Sequence, residues 1–283
     1  MPELPEVYTI TNDLLKNVLG YTIRGCNITK GYIALPTNDT FTNTVINQQI
    51  VDVKRVAKNI LIHLSNKSII HFHLAMTGQI LLKETDSFAF KNWLRVLLNI
   101  EKNSYTKFLA FNDMRMFGKI AIISEAQLKT LYEKYGPEPI DENLNVERLW
   151  QKLTSKRTTI KNALLDQELV AGLGNIYATD SLFLAGIHPE LNTKTLTLEQ
   201  TNKLVAAARQ VLNEGIDHRG STLADKMYVD IFGKAGFHQD HFKIYTKEFC
   251  PNCSSKVEFK KINGRGTYFC PKCQPLEVQV SMF

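Results

Sequence analysis

Two kinds of chemistry can be read from the types and spacing of residues in this chain. Four of its five cysteines form Cys250-Pro-Asn-Cys253 and Cys270-Pro-Lys-Cys273, two Cys-x-x-Cys pairs separated by sixteen residues. Each pair sets two thiolates on one tight turn, and two such turns complete a tetrahedral site of zinc-ribbon spacing. With four cysteine ligands the site is closed, so the expected cofactor is one structural Zn2+, holding a hairpin too small to fold on an apolar core alone. The second chemistry lies at the opposite end, in Met1-Pro2-Glu3-Leu4-Pro5-Glu6. Removal of Met1, usual before a small residue, leaves Pro2 with a terminal secondary amine. An α-amino group titrates at about 7.7–8, so a useful fraction is unprotonated near neutrality. Such an amine can attack an electrophilic carbon and form an iminium. Glu3 and Glu6 stand beside it for proton transfer. Taken alone, Met-Pro-Glu is a common and usually inert opening.

The elements that must position these groups follow from periodicity. Val7, Ile10, Leu14 and Val18 recur at helical spacing, predicting a helix over residues 5–20 with Gly20 as its stop. From about 21 to 123 the chain changes to short alternating runs: Tyr21–Ile28, Ile60–Leu64, Ile69–Leu74, Val96–Ile100 and Phe117–Ile123. Turn residues such as Ser65-Asn66-Lys67 and Asn103-Ser104 separate them, which points to an antiparallel sandwich or barrel. Gly136-Pro137-Glu138-Pro139 marks a linker at 134–145. Helical spacing resumes with Val146, Leu149, Trp150 and Leu153. Thr197-x-x-Gln200 reads as a capping box opening a helix that ends near Gly215. Residues 217–242 read as a loop. The class is α+β: an N-terminal helix and antiparallel β-sandwich, then a helical domain and a β-hairpin zinc finger. The divisions expected are 1–133, a linker at 134–145, a helical domain at 146–245, and the finger at 246–283.

The formal net charge is +6 over 283 residues, a balance that suits a polyanion-binding surface and that many unrelated proteins share. There is no run of eighteen apolar residues, so no membrane span is expected. The N-terminus lacks a signal-peptide pattern. The expected setting is cytoplasmic and reducing, nucleoid-associated in a bacterium and not secreted, where paired cysteines favour metal over disulfides.

In order along the chain, Met1-Pro2-Glu3-Leu4-Pro5-Glu6-Val7, Val56-Ala57-Lys58-Asn59, His73-Leu74-Ala75-Met76-Thr77-Gly78 and Asp113-Met114-Arg115-Met116-Phe117-Gly118 resemble successive motifs of the formamidopyrimidine-DNA glycosylase family. Tyr135-Gly136-Pro137-Glu138-Pro139 is similar to the family's linker. Leu165-Asp166-Gln167 with Val170-Ala171-Gly172-Leu173-Gly174-Asn175-Ile176-Tyr177 resembles its helix–two-turn–helix. Arg265-Gly266-Thr267-Tyr268-Phe269-Cys270-Pro271-Lys272-Cys273-Gln274 resembles its zinc finger.

The resemblance implies base-excision repair by a bifunctional glycosylase and abasic-site lyase. Its partner would be damaged double-stranded DNA, bound by a monomer. It assigns catalytic roles to Pro2, Glu3, Lys58 and Arg265, with Pro2 as nucleophile and Glu3 as general acid/base. It assigns DNA contacts to His73, Met76, Arg115, Phe117, Lys161, Asn175 and Arg265. Met76, Arg115 and Phe117 would fill the hole left by an extruded base, a device that recovers part of the unstacking cost. Without the family match, Met76 and Phe117 would read as core, His73 as structural and Asn175 as an N-cap. Backbone N–H groups at a helix start also form a phosphate site, so both roles of Asn175 can coexist. Ser221–Gly236 would cover an extruded 8-oxoguanine.

The chain departs from the family pattern at Tyr8, usually glutamate, and at Ala57 and Asn59, usually glycine and tyrosine. Three readings stand at this point. The first is a glycosylase for oxidised purines, including 8-oxoguanine and formamidopyrimidines. The second is an endonuclease VIII-like enzyme for oxidised pyrimidines. The third is a zinc-finger DNA-binding protein that has lost catalysis.

Overall fold

The computed structural model describes residues 2–87 and 91–276. It divides into two compact units, one formed by Met1–Lys134 with Gly215–Gln239, the other by Tyr135–Glu214 with Asp240–Phe283. Among the described residues, no helix is long and apolar enough to cross a membrane.

The first unit opens with α1 (Leu4–Val18). Its apolar positions Val7, Ile10, Leu14 and Val18 are buried at 0–1% exposure, as the helical spacing requires. Glu3 caps it in a reciprocal box with Glu6, and Pro5 sits in the first turn, where no intrahelical N–H is needed. Gly20, at φ +79°, turns the chain just beyond the helix. Then follow β1 (Thr22–Ile28), α2 (Asn38–Val45), β2 (Ile50–Val56), β3 (Asn59–Leu64), β4 (Ile69–His73), β5 (Gly78–Lys83), β6 (Leu94–Lys102), β7 (Tyr105–Asp113), β8 (Lys119–Ile123) and α3 (Glu125–Lys134). The strands form two antiparallel sheets, ordered β1-β6-β7-β5 and β2-β3-β4-β8.

The inward residues of both sheets make one core. Val96, Leu98 and Ile100 of β6 alternate into it, as do Leu109 and Phe111 of β7, Ile60 and Ile62 of β3, and Ile70 and Phe72 of β4. Phe72 and Phe111 meet edge to face across the two sheets, ring centroids 5.6 Å apart. Burying each such side chain contributes about 1.5–3 kcal/mol. Asn103-Ser104 joins β6 to β7 with both residues at positive φ, 50° and 65°, the type I′ hairpin signature. The segment Gly215–Gln239, read from sequence in one stretch with 146–214, groups instead with the N-terminal residues. Tyr228 and Ile231 enter the core, and Leu82 N–H donates to Ile231 O at 2.7 Å. Apart from a 3-10 turn beginning at His238, residues 218–239 carry no helix or strand, as expected of a loop.

In the second unit, residues 135–145 are tied down locally. Gly136 N–H donates to Gln167 O at 2.9 Å, and Arg209 donates to the carbonyls of Pro139 and Asp141. A Cβ on Gly136 would lie 2.4 Å from Leu169 O, so only glycine fits. The helices are α4 (Val146–Ser155), α5 (Ile160–Leu165), α6 (Asn175–Leu184) and α7 (Leu198–Asp217). The Thr197/Gln200 box forms as read, with bonds of 3.0 and 3.1 Å, but α7 passes Gly215 and ends two residues later. Trp150 is only half buried, because its indole N–H reaches Leu196 O at 2.8 Å while Leu149 and Leu153 face inward. Between α5 and α6, Gln167 braces the double turn: its Nε2 donates to Leu173 O and its Oε1 accepts from Gly172 N–H. A hairpin of β9 (Glu258–Ile262) and β10 (Arg265–Phe269) follows.

Candidate active site

Pro2 and Glu3 are buried where the chain enters α1. Glu6 holds that entry. Its Oε2 accepts the Glu3 N–H at 2.8 Å, and its Oε1 accepts the Ser221 N–H at 2.7 Å. Both carboxylate oxygens are thus engaged by backbone, which makes Glu6 a clamp rather than the proton-transfer partner read from its position beside Pro2. Gly220 (φ +79°) permits the approach, since a Cβ there would lie 2.8 Å from Glu6 Cγ. Arg219 braces the same segment with ion pairs to Asp13 (2.5 Å) and Asp230 (2.7 Å). Tyr228 donates to Arg219 O at 2.8 Å, and burial followed by the nearby Glu6 charge raises its phenol pKa. Tyr8 is half buried on α1.

Lys58 sits in the two-residue loop between paired Val56 and Asn59 and is 7% exposed. Ala57 takes φ 51° ahead of it, a left-handed position that favours glycine. Beside the loop, Asn59 Oδ1 lies 2.8 Å from His71 Nε2 and 3.2 Å from His73 Nδ1, while its Nδ2 donates to Val56 O at 2.9 Å. Burial pushes His71 down to about 4, with His73 adding to the effect. Burial also lowers His73, followed by the charges of Lys58, Lys119 and Lys134.

Met76, Arg115 and Phe117 are carried on two linked loops. Buried Asp113 accepts from Gly118 N–H at 2.7 Å, from Arg115 N–H at 3.2 Å and from the Thr77 hydroxyl. Gly78 is required because a Cβ would lie 2.5 Å from Leu74 O. On this frame Met76 is 40% and Phe117 60% exposed. Core packing, the alternative reading for both, is therefore excluded. Phe117 also lies outside the strand read as Phe117–Ile123, because Asp113 turns the chain and β8 begins at Lys119.

In the second unit, Asn175 is the first residue of α6 and Gly174 is its N-cap, so the N-cap reading of Asn175 is corrected. Its side chain instead donates to Gly266 O at 2.9 Å, joining the helix start to β10. Lys161 needs a larger correction as a DNA contact. It is 0% exposed, and its Nζ donates to Asn175 O at 2.8 Å and Thr179 Oγ1 at 2.5 Å. It holds the first turn of α6 and reaches no surface. Arg265 is exposed at the start of β10, following an Asn263-Gly264 turn with φ 47° and 74°. It lines a cleft of about 570 Å³ with Asn263, Lys156, Arg157, Thr158 and Asn162. The sequence reading passed over Lys156 and Arg157, because nothing local ties them to a residue more than a hundred positions away.

The four thiols of Cys250, Cys253, Cys270 and Cys273 lie within 4.8 Å of one another. Cys250 and Cys273 sulfurs are 3.7 Å apart, and those of Cys253 and Cys270 3.5 Å. Zinc–sulfur bonds of about 2.3 Å in a tetrahedron require sulfurs about 3.8 Å apart, so the donor set fits one structural zinc. Gln274 braces it, accepting from Cys270 N–H at 3.0 Å and donating to Ile187 O at 2.8 Å.

Three family models match: the formamidopyrimidine-DNA glycosylase N-terminal domain over residues 1–120, its H2TH domain over 135–227, and the zinc finger found in FPG and IleRS over 247–276. The formamidopyrimidine-DNA glycosylase of Chloroflexus aurantiacus is 37% identical, covering 97% of this chain and 98% of its own. That of Desulforamulus reducens is 36% identical, covering 97% and 99%. Among solved structures, Lactococcus lactis Fpg in complex with abasic-site DNA matches with TM-score 0.88 at 30% identity, covering 97% of this chain and 100% of that one. The same enzyme with Fapy-dG-containing DNA matches with TM-score 0.87 at 31% identity, over the same shares. The chain belongs to the formamidopyrimidine-DNA glycosylase family.

Proposed function

We propose that this protein is a base-excision repair enzyme that releases oxidised purines from damaged double-stranded DNA and cleaves the abasic strand. It acts as a monomer in the compartment that holds the genome, where its substrate lies. With Met1 removed, the Pro2 nitrogen attacks C1′ of the damaged nucleotide. As the C1′–base bond breaks, the proton lost from the Pro2 nitrogen accompanies the departing base. Glu3 supplies the second proton, to O4′, so that the C1′–O4′ bond breaks, the sugar ring opens and the iminium forms. The resulting iminium withdraws electrons from C2′. Loss of a C2′ proton expels the 3′ phosphate, and a second elimination expels the 5′ phosphate, so no external cofactor is needed. Lys58 and His73 meet phosphates beside the reacting sugar. Asn175 and Arg265 meet backbone phosphate, with Lys156 and Arg157 flanking Arg265 along its cleft. Met76, Arg115 and Phe117 occupy the space of the extruded nucleotide. When bound, zinc fixes the finger that presents Arg265 and takes no part in the chemistry.

The observation that carries this reading is the Glu6 clamp, which fixes Glu3 by its own backbone N–H directly beside the N-terminal proline. The test is borohydride reduction of the protein on abasic DNA, followed by mass spectrometry of the conjugate. Attachment to the Pro2 peptide of processed protein supports the reading. Attachment elsewhere, or no conjugate, overturns it.

A further inference from the structure

The environment of His73 constrains how it can meet a phosphate. The amide of Asn59 has one available orientation, because its Nδ2 donates to the Val56 carbonyl at 2.9 Å and reversing it would set two oxygens against each other. Oδ1 therefore faces the two imidazoles, His71 Nε2 at 2.8 Å and His73 Nδ1 at 3.2 Å. An amide oxygen only accepts, so both ring nitrogens must carry protons. A neutral His73 with its proton on Nδ1 presents a bare lone pair at Nε2. A phosphate oxygen is also an acceptor, and two acceptors repel.

We propose that Asn59 is a positioning residue that fixes the Nδ1–H tautomer of His73, so that DNA binding takes up one proton onto His73 Nε2. This rests on the reading above that His73 contacts phosphate. The groups facing the ring keep it neutral before DNA arrives. Lys119 is its cross-strand partner on β8, Lys58 lies in the β2–β3 loop, Lys134 ends α3, and His71 shares its strand. All three lysines, together with burial, disfavour an imidazolium, whereas a bound phosphate favours it. The sign follows. Below the free-state pKa, which is lowered from the ordinary histidine value, the ring is already charged and affinity is level. Between the free-state pKa and the higher bound-state one, the dissociation constant rises by about tenfold per pH unit.

The test uses full-length protein and a duplex carrying a tetrahydrofuran abasic analogue, which cannot form the iminium. Calorimetric titration at pH 7.5 in HEPES and in Tris, buffers of different ionisation enthalpy, counts the protons taken up. Wild type is expected to take up about one more proton than His73→Gln. Asn59→Leu, which lets neutral His73 move its proton to Nε2, should lose that excess uptake while still binding. Equal uptake by wild type and His73→Gln, with His73→Ala binding more weakly, would overturn the tautomer inference and leave the phosphate contact standing. Unchanged affinity of His73→Ala at every pH would remove the contact itself. Nitrogen-15 NMR of the free wild-type protein above pH 8 reads the tautomer directly. A proton on Nε2 of His73 would overturn the proposal without reference to any variant.

Discussion

The guanidinium of Arg115 lies 3.8 Å from the sulfur of Met76, although the two residues are 39 positions apart and sit on different loops. What joins them is the buried Asp113, which gathers the Thr77 hydroxyl from one loop and the N–H groups of Arg115 and Gly118 from the other. An exposed arginine and an exposed thioether are thereby held in one place by groups that never reach the surface. Phe117 shares this frame and is 60% exposed.

Phe117→Ala should therefore separate stability from activity. An exposed side chain contributes little to folding, so the change in unfolding free energy should stay within about 0.5 kcal/mol. Excision from duplex DNA should fall about tenfold or more, because unstacking a nucleotide costs a few kcal/mol that the wedge partly recovers. Urea denaturation and single-turnover kinetics measure the two. A stability loss above about 2 kcal/mol would instead mark Phe117 as a packing residue.

Asp113→Ala should behave in the opposite way. It leaves the buried N–H of Gly118 without its acceptor and frees the Arg115 loop, which costs about 1–3 kcal/mol. Thermal unfolding should shift downwards, and activity should fall with it. An unchanged melting temperature would mean that the loops are held by other contacts.

The Glu6 clamp makes a similar demand on chemistry rather than size. In Glu6→Gln, one of the two accepting oxygens becomes an NH2 facing a backbone N–H, either that of Glu3 or that of Ser221. The expected loss is again about 1–3 kcal/mol. Base release should suffer through displaced Glu3, and residues 219–237 should become more open to protease. Full activity with a normal proteolysis pattern would show that Glu3 is positioned without Glu6.

These relationships also show what a sequence displays and what it conceals. The α1 stripe, the Thr197/Gln200 box and the cysteine pairs are legible because each depends on residues a few positions apart. Type I′ turns at Asn103-Ser104 and Asn263-Gly264 are legible for the same reason. Glu6 and Ser221 are 215 positions apart, and nothing near either one names its partner. Asn59 is conspicuous in sequence only as a departure from tyrosine. Its two histidines become its partners through the pairing of β3 with β4. Lys161 is the opposite case: the resemblance assigns it a DNA contact, and only packing shows it enclosed beneath the first turn of α6.

Lys161 and Arg265 should consequently answer differently to salt. Arg265 is exposed in a basic cleft with Lys156 and Arg157, so Arg265→Ala should weaken DNA binding. It should also reduce the slope of log affinity against log salt by about 0.9, one phosphate's share for duplex DNA. Lys161 touches the carbonyl of Asn175 and the hydroxyl of Thr179, so Lys161→Met removes no phosphate contact. Its slope should match the wild type, while affinity falls at every salt concentration because the start of α6 is no longer held. Folding should lose about 1–3 kcal/mol as the two acceptors are left without their donor. Filter binding or anisotropy across a salt series measures both slopes. A Lys161→Met slope reduced as much as that of Arg265→Ala would place the buried ammonium among the groups that release counterions, and the positioning role assigned to it would be lost.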